Sequence, residues 1–187
     1  MRIISGNFKG KKIIEPKDKQ TRPLKDLTKE SIFNILAHSN KFNINIENSK
    51  ILDLFSGVGS FGLECISRGA KHVTFVENYR GVLPILKKNL SNLKKMKKYE
   101  IIEENLLINF DYKQFISKFD IIFLDPPYKE KKLDYIIDNI FDNEILHKKG
   151  IIIIHRHKKE NDKFLKNLKI LEEKKYGISK IFFANLN

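Results

Sequence analysis

Several residue types are scarce in this sequence. Among 187 residues there is one cysteine, Cys65, and there is no tryptophan. A single cysteine excludes an internal disulfide framework and a metal site built from several thiolates, and it is typical of a reducing compartment. No apolar run approaches the roughly 18 residues that a membrane-spanning helix needs. The N-terminus, MRIISGNFKGKK, lacks the apolar centre of a secretory signal. We therefore expect a cytoplasmic protein that is not attached to a membrane.

Acidic residues and arginine are also few. Asp and Glu number 23 against 36 Lys and Arg, which gives a formal net charge of +13. Such a charge favours a polyanionic partner such as nucleic acid. Only five of the basic residues are arginine, however, and the chain is rich in Ile and Asn. This composition is typical of an AT-rich genome, whose codons raise the lysine content everywhere, so a solvated lysine surface is an alternative explanation.

Composition divides the chain into two regions. The first 25 residues contain short β-like runs interrupted by glycine and proline, and nine of the first 30 residues are basic. A helical spacing of apolar residues predicts a helix over 26–39, with Asp26 or Thr28 as its N-cap. The predicted units are a basic N-terminal β-extension with this helix, residues 1–40, and a larger domain, residues 41–187.

From residue 50 onward, apolar strands alternate with helical patterns. The predicted strands are KILDLF, HVTFVE, YEIIEE, DIIFLD, GIIIIH and two more near 171–176 and 180–186. Helices are predicted up to Gly69 and over 81–95, 111–117, 131–146 and 159–171. Continuously apolar strands are typical of burial on both faces. The pattern predicts an α/β, Rossmann-like fold, with a mostly parallel twisted sheet and helices on both faces.

A glycine-rich loop follows the first strand of the larger domain. Gly57, Gly59 and Gly62 satisfy the spacing G-x-G-x-x-G, and Glu77 lies 20 residues beyond Gly57 at the end of the next strand. Glycines let the backbone approach a ligand, and the carboxylate can accept hydrogen bonds from ribose hydroxyls. The loop therefore predicts a cofactor that contains adenosine. Asp53, inside the strand end, favours a positively charged cofactor such as S-adenosylmethionine over NAD, although NAD or a purely structural turn remains an alternative.

Other residues near this loop have weaker signals. Asn105 follows the third strand and could hold an adenine amino group, but a plain turn residue is an equal alternative. Phe55 is interpreted as a packing residue beside the cofactor, and Cys65 as a core residue. His155 and His157 alternate at a strand end, and no third ligand accompanies them, so we predict no metal site.

The stretch LDPPY ends the fourth strand. Exocyclic amines are poor nucleophiles because their lone pair is delocalised, and an acceptor aimed at the N–H helps to orient that lone pair. The Asp125 carboxylate can supply one acceptor and the Pro126 carbonyl another, while Pro127 keeps the backbone rigid. Tyr128 can stack on a flat base. The tetrad therefore predicts methyl transfer to an amino group by positioning and electrostatics, with a simple strand-ending turn as the alternative.

Three stretches resemble one family. LDPPY is similar to the D/N-P-P-Y/F motif of methyltransferases that act on amino groups. RIISGNFKGKKI resembles the R-I-I-x-G-x-x-x-G-R-x-L opening of the RsmD-type bacterial 16S rRNA guanine-N2 methyltransferases. TRPLKDLTKESIFNIL resembles that family's T-R-P-T-x-D-x-x-R-E-x-L-F-N-x-L stretch. The resemblance covers nearly the whole chain. Departures include Leu24 and Leu27, which replace polar or basic residues, and HRHKK at 155–159, where an acidic stretch is common.

The resemblance implies a class I methyltransferase that moves a methyl group from S-adenosylmethionine to the N2 of a guanine in 16S rRNA. The catalytic residues would be Asp125, Pro126, Pro127 and Tyr128. The residues predicted to bind the cofactor are Asp53, Phe55, Ser56, Gly57, Gly59, Glu77, Asn105 and Asp125. The residues predicted to bind RNA are Arg2, Lys9, Lys11, Lys12, Arg22 and Pro23.

The resemblance also implies a partner and a location. The partner would be small-subunit rRNA or a 30S assembly particle, bound by a monomer. The location would be a bacterial cytoplasm, or an organelle of bacterial ancestry in an AT-rich eukaryote. Alternatives within the same chemistry are methylation of DNA adenine N6 or of a protein glutamine. A non-catalytic nucleic-acid-binding module and an NAD enzyme are alternatives of a different class.

Overall fold

The computed structural model describes residues 1–17, 24–93, 98–128, 130–160 and 167–187. The strands are β1 (Lys50–Leu54), β2 (His72–Val76), β3 (Tyr99–Ile102), β4 (Phe119–Leu124), β5 (Leu146–His157), β6 (Leu168–Tyr176) and β7 (Ser179–Leu186). The helices are α1 (Asp26–His38), α2 (Ser60–Ser67), α3 (Leu83–Ser91) and α4 (Leu133–Asp142), with a 3₁₀ turn at Tyr112–Gln114. Each predicted strand of the larger domain therefore has a counterpart.

All seven strands form one sheet in the order β3-β2-β1-β4-β5-β7-β6. Strands β1 to β5 pair in parallel, and β7 is antiparallel to both of its neighbours, β5 and β6. The prediction of a mostly parallel sheet with helices on both faces is confirmed. The strand order reverses beside β1, and ligands of open α/β sheets bind at such a switch point, outside the carboxyl ends of the strands.

The two faces of the sheet carry separate hydrophobic clusters. On one face, residues such as Ile51 and Phe123 pack against α1, α2 and α3. On the other face, residues such as Leu52 and Ile122 pack against α4 and the 3₁₀ turn. Adjacent residues of one strand point to opposite faces, and both faces are covered, which explains why Ile51, Leu52 and Leu54 of β1 and residues 121–124 of β4 are apolar.

Several local predictions are wrong. The N-cap of α1 is Lys25, which makes no side-chain capping bond, and neither Asp26 nor Thr28 has that role. The predicted helix at 111–117 shrinks to the 3₁₀ turn. Of the predicted helix at 159–171, residues 161–166 lie outside the described residues, and β6 already begins at Leu168. Tertiary pairing with β7 overrides the helical spacing there.

The N-terminal segment forms a hairpin that packs on α2. Within the described residues its predicted β structure reduces to one isolated bridge between Arg2 and Lys12. Ile3 and Ile13 are buried in the cluster shared with α1 and α2. The division of the chain at residue 40 stays a prediction, because this segment shares its core with the larger domain.

A buried carboxylate holds the hairpin in place. The Glu64 oxygens accept the backbone N–H of Ile4 at 2.7 Å and of Ser5 at 2.9 Å, and also the Arg68 Nε at 2.8 Å. The fully buried Lys29 donates to the Arg2 carbonyl at 2.6 Å. Burial lowers the pKa of Lys29, and the nearby Glu64 opposes that shift. These bonds fix the hairpin that carries several of the predicted RNA-binding residues.

The described helices are all short. Within the described part of the chain, none is long and apolar enough to cross a bilayer.

Candidate active site

A cavity of about 460 Å³ opens at the carboxyl ends of β1, β2 and β4. This volume lies in the range of roughly 300–1,000 Å³ that is usual for small-molecule sites. Most of the predicted site residues line it together: Asp53, Phe55, Ser56, Gly57, Glu77, Asn105, Asp125, Pro126, Pro127 and Tyr128. The register explains the convergence, since Leu54 of β1 is paired with both Val76 of β2 and Leu124 of β4.

The glycine loop is shaped by Asp53 and by one close approach. Asp53 Oδ2 accepts the backbone N–H of Gly62 at 3.0 Å, which ties the end of β1 to the first turn of α2. A Cβ at Gly62 would lie 2.3 Å from the ring of Phe75, so α2 packs against β2 at a distance that only glycine allows. The third glycine of the loop therefore serves helix–strand packing, as the dinucleotide-type spacing predicts.

Asp53 is an acidic residue in a buried position, where a charged carboxylate is unfavourable. Its side chain is buried, with 1% of its surface exposed. Burial raises the pKa of Asp53 well above its ordinary value, the Gly62 N–H opposes the shift, and the carboxylates of Asp125 and Glu77 add to it. A cation bound beside these three carboxylates would relieve their repulsion. The site is therefore electrostatically prepared for a positively charged ligand.

Glu77 organises the loops around the cavity. Its Oε2 accepts the Gly57 N–H at 2.7 Å, and its Oε1 accepts the N–H groups of Asn78 at 2.9 Å and Tyr79 at 2.8 Å. Glu77 is 9% exposed and lines the cavity. Carboxylate oxygens have about four acceptor positions, so the residue retains capacity for hydroxyl donors of a ligand.

Three further residues complete the cofactor side. The buried Ser56 hydroxyl has no hydrogen-bond partner among the described residues, which is unusual unless a ligand supplies one. Phe55 has a φ of +58°, a strained value for a bulky residue and one found often at functional sites. Asn105 Oδ1 accepts the Leu107 N–H at 2.9 Å, so its predicted turn role is present beside the cavity.

Asp125 has a partner that the sequence did not reveal. Its Oδ1 lies 2.8 Å from His155 Nδ1, and His155 Nε2 lies 2.8 Å from Ser179 Oγ. An ionised carboxylate only accepts hydrogen bonds, so the Nδ1–H of His155 is the donor. The register places the two together, because Leu124 of β4 pairs with Ile154 of β5.

The rest of the tetrad is held from β5 as well. Arg156, which is buried, donates to the Pro127 carbonyl at 3.3 Å and to the Glu130 carbonyl at 3.1 Å. Among the described residues none donates to the Pro126 carbonyl. The Tyr128 ring is half-buried and meets the His157 ring edge-on, with 4.8 Å between centroids. These contacts leave the tetrad rigid along one edge of the cavity.

The residues predicted to bind RNA are distributed unevenly. Arg2, Lys9 and Lys12 are exposed on the hairpin. Lys11 is half-buried and donates its Nζ to the Asn92 carbonyl, so it braces the hairpin against the end of α3. Arg22 and Pro23 lie outside the described residues. The next residue, Leu24, is buried and lines the cavity.

Two kinds of side chain bear on metal and thiol chemistry in the part of the chain that the structure describes: those that could bind a metal, and the single cysteine. There, no three side chains of His, Cys, Asp or Glu come together as a metal site. Cys65 is buried in the core on α2, where burial raises the pKa of its thiol. The prediction that Cys65 packs in the core is confirmed.

The residues that sequence reasoning missed are His155, Arg156 and Ser179. The sequence does contain a signal for His155. In both IIFLD and IIIIH, a run of four apolar residues is followed by one polar residue. Paired in parallel, such strands place Asp125 beside His155. From the sequence, HRHKK is a departure from the family pattern, and its histidines are weighed only as metal ligands. In the structure, its first two residues are bonded to the tetrad and to the loop after it.

This chain is similar to known proteins along nearly its whole length. The family model described as Conserved hypothetical protein 95 matches residues 1–185. The Haemophilus influenzae protein "Ribosomal RNA small subunit methyltransferase D" is 35% identical over 95% of this chain and 90% of its own. The same-named Escherichia coli protein is 32% identical over 82% of this chain and 73% of its own. The solved structure of "Putative methyltransferase yhhF" from Escherichia coli superposes with a TM-score of 0.80 and 28% identity, covering 100% of this chain and 97% of that one.

Proposed function

We propose that this chain, a member of the RsmD family of Rossmann-like methyltransferases, is a guanine methyltransferase. The proposed reaction is methylation of the exocyclic N2 of a guanine in small-subunit rRNA. The methyl donor is S-adenosylmethionine, and the substrate class is rRNA, as in the named relatives. The observation that carries the proposal is the convergence of the glycine loop and the tetrad on one cavity. A donor and an acceptor must meet at one place for group transfer, and these two motifs do so.

The residues present fit this cofactor. Its charged groups suit the three neighbouring carboxylates of Asp53, Glu77 and Asp125, and its hydroxyls suit Glu77. The unpartnered hydroxyl of Ser56 offers a further polar contact. Apolar side chains that line the cavity, such as Phe55 and Leu107, suit the flat adenine. The acids that destabilise the cavity by mutual repulsion would therefore be satisfied by the ligand itself.

Bound beside Asp53, Glu77 and Asp125, the cofactor would supply an electrophilic methyl group to the amine and leave as S-adenosylhomocysteine, while the amine nitrogen would gain the methyl group and lose one proton. Asp125 accepts the amine N–H and orients the lone pair, and its carboxylate receives the released proton. The Pro126 carbonyl accepts the second N–H. Tyr128 stacks on the base after it leaves its helix or loop, a contact worth about 1–3 kcal/mol.

The RNA side of the proposal rests on the hairpin. Arg2, Lys9 and Lys12 are exposed on it, and lysine and arginine contacts to phosphates release counterions. We propose that they hold the RNA backbone while the base enters the cavity past Leu24. Binding should then weaken with rising salt concentration.

The catalytic assignment is tested with Asp125→Ala and a matched control, Asp142→Ala, which changes an exposed aspartate at the end of α4. Asp125→Ala should lower turnover on the order of 10²–10³-fold, by analogy with the loss of one stabilising group from an active site. Binding of S-adenosylhomocysteine, measured by calorimetry, should be retained in both variants. Wild-type turnover by the Asp125 variant would refute the assignment.

The substrate is tested by methylation with tritiated cofactor on naked small-subunit rRNA, 30S particles, duplex DNA and a release factor. Mass spectrometry of the nucleosides then identifies the methylated atom. N2-methylguanine in rRNA supports the proposal, while methyladenine in DNA or methylglutamine supports the alternatives. The same assay separates free rRNA from the assembled particle, and light scattering checks the predicted monomer.

A further inference from the structure

The bonded series Asp125–His155–Ser179 joins three strands behind the tetrad. Asp125 follows β4, His155 lies on β5, and Ser179 begins β7. Both donor–acceptor distances are 2.8 Å, and His155 and Ser179 are each 5% exposed. The side chain of Asp125 is 18% exposed, so it is the member of the series that can meet a substrate.

We propose that His155 is a positioning residue for methyl transfer: it binds Oδ1 of Asp125 and thereby presents Oδ2 to the substrate amine. This inference rests on the proposed function, because it gives His155 a part in that reaction. The terminal torsion of aspartate is broad, so a carboxylate without an external contact samples many orientations. One fixed oxygen removes that freedom and leaves the other oxygen with a defined direction.

Ser179 fixes the imidazole in turn. With Nδ1–H directed at Asp125, the Nε2 of neutral His155 accepts the Ser179 hydroxyl. A hydrogen bond at one ring nitrogen sets the tautomer that serves the other. The Asp125 carboxylate, which only accepts, therefore sets the tautomer of His155, and the Ser179 hydroxyl, which can donate or accept, holds the ring in place.

The proton balance requires no transfer through the ring. The amine proton that methylation releases goes to Oδ2 of Asp125, while Nδ1–H stays on His155.

A second cavity of about 360 Å³ borders the other side of the imidazole. The charged groups that line these two cavities together with His155 are Asp53, Glu77 and Asp125 in the first, and Glu15, Lys25, Asp26 and the Met1 amino group in the second. Of these groups, Asp125 is the one in direct contact with the imidazole, at 2.8 Å.

The variants that test the inference are His155→Leu, His155→Asn and the control His147→Asn. His147 is exposed at the other end of β5. Leucine removes the donor, whereas asparagine places an N–H near the position of Nδ1. We expect His155→Leu to lower kcat on the order of 10–100-fold, as loss of alignment does, with KM for RNA and the affinity for S-adenosylhomocysteine unchanged. His155→Asn should recover most of the rate, and His147→Asn should match the wild type.

The comparison of the two His155 variants distinguishes positioning from simple packing. A wild-type kcat in His155→Leu would overturn the inference. Equal losses in the leucine and asparagine variants would do the same, because they would indicate a packing role.

Nitrogen NMR of the cofactor-free protein gives a readout independent of activity. The chain has five histidines, and Asp125→Asn should shift the ring nitrogens of His155 alone. Unchanged His155 signals would overturn the inference, even if His155→Leu did not fold. If the wild type methylates no RNA while these signals shift as expected, the proposed function fails and the contact stands.

Discussion

Replacing Gly6 with alanine removes the closest backbone approach between the N-terminal hairpin and α2. Gly6 has a φ of +81°, and a Cβ there would lie 1.9 Å from the Ser67 carbonyl oxygen. Gly10, at the other end of the same turn, has a φ of +82° and nothing within 4 Å of its Cβ position. Both substitutions therefore lose stability because alanine is strained at a positive φ. Only Gly6→Ala adds a steric clash.

The magnitude follows from the bonds that the clash would loosen. The shared backbone cost is about 1–2 kcal/mol for alanine at positive φ. In Gly6→Ala the hairpin must also move away from Ser67, which accepts the N–H of Asn7 at 2.8 Å and, through its hydroxyl, that of Phe8 at 2.9 Å. The same hydroxyl donates to the Ser5 carbonyl at 2.5 Å. At about 0.5–1.5 kcal/mol for each of the three bonds, the extra loss of unfolding free energy is about 1.5–4.5 kcal/mol.

Urea unfolding of the two variants and the wild type measures this difference. For a protein of this size, the same free-energy difference corresponds to a melting temperature lower by about 3–18 °C in Gly6→Ala than in Gly10→Ala. Gly6→Ala should also raise KM for RNA, because the hairpin carries Arg2, Lys9 and Lys12, with little change in S-adenosylhomocysteine affinity. Equal stability of the two variants would refute the reasoning, since it would show that the hairpin is not held against Ser67.

Three further predictions concern buried positions. Because burial raises the pKa of Asp53, the stability that its proton gives is present below about pH 4, its unfolded value, and is lost as the pH rises. In urea titrations, the stability of Asp53→Asn relative to the wild type should therefore increase as the pH rises above about 4, while the variant loses cofactor affinity. A pH-independent difference in stability would contradict this. Gly62→Ala should cost about 1–3 kcal/mol against the Phe75 ring, and an unchanged urea midpoint would indicate looser packing. The Cys65 thiol should react with iodoacetamide only after unfolding, and rapid labelling of the native protein would be inconsistent with its burial.

The sequence predicts the sheet and the cavity because their signals are local. Each strand is a continuous apolar run, and Asp53, Glu77 and Asp125 stand at or next to the ends of such runs. Parallel strands bring their carboxyl ends to one edge, so residues at those ends converge without further information. The spacing of Gly57 and Gly62 also predicts the shape of the loop. The close approach of Gly62 to the Phe75 ring explains why the second of these positions is glycine.

Contacts between distant elements could not be predicted in this way. His155 meets Asp125 because β5 lies beside β4 in one register, and its second partner, Ser179, comes from a strand that runs in the opposite direction. Likewise, Glu64 accepts bonds from a hairpin about 60 residues earlier. The helix predicted over 159–171 extends too far for the same reason. Its last residues belong to β6, and pairing of β6 depends on β7, which follows later in the chain.

The position of β7 in the sheet has a consequence for the order of assembly. It is the last strand along the chain, yet it lies between β5 and β6. Domains generally fold as units, so the sheet cannot close between β5 and β6 until the end of the chain has been made. The bond from Ser179 to His155 can form only after β7 has entered the sheet. A chain cut before β7 would therefore keep the sequence of the glycine loop and the tetrad and still lack the contact that orients Asp125.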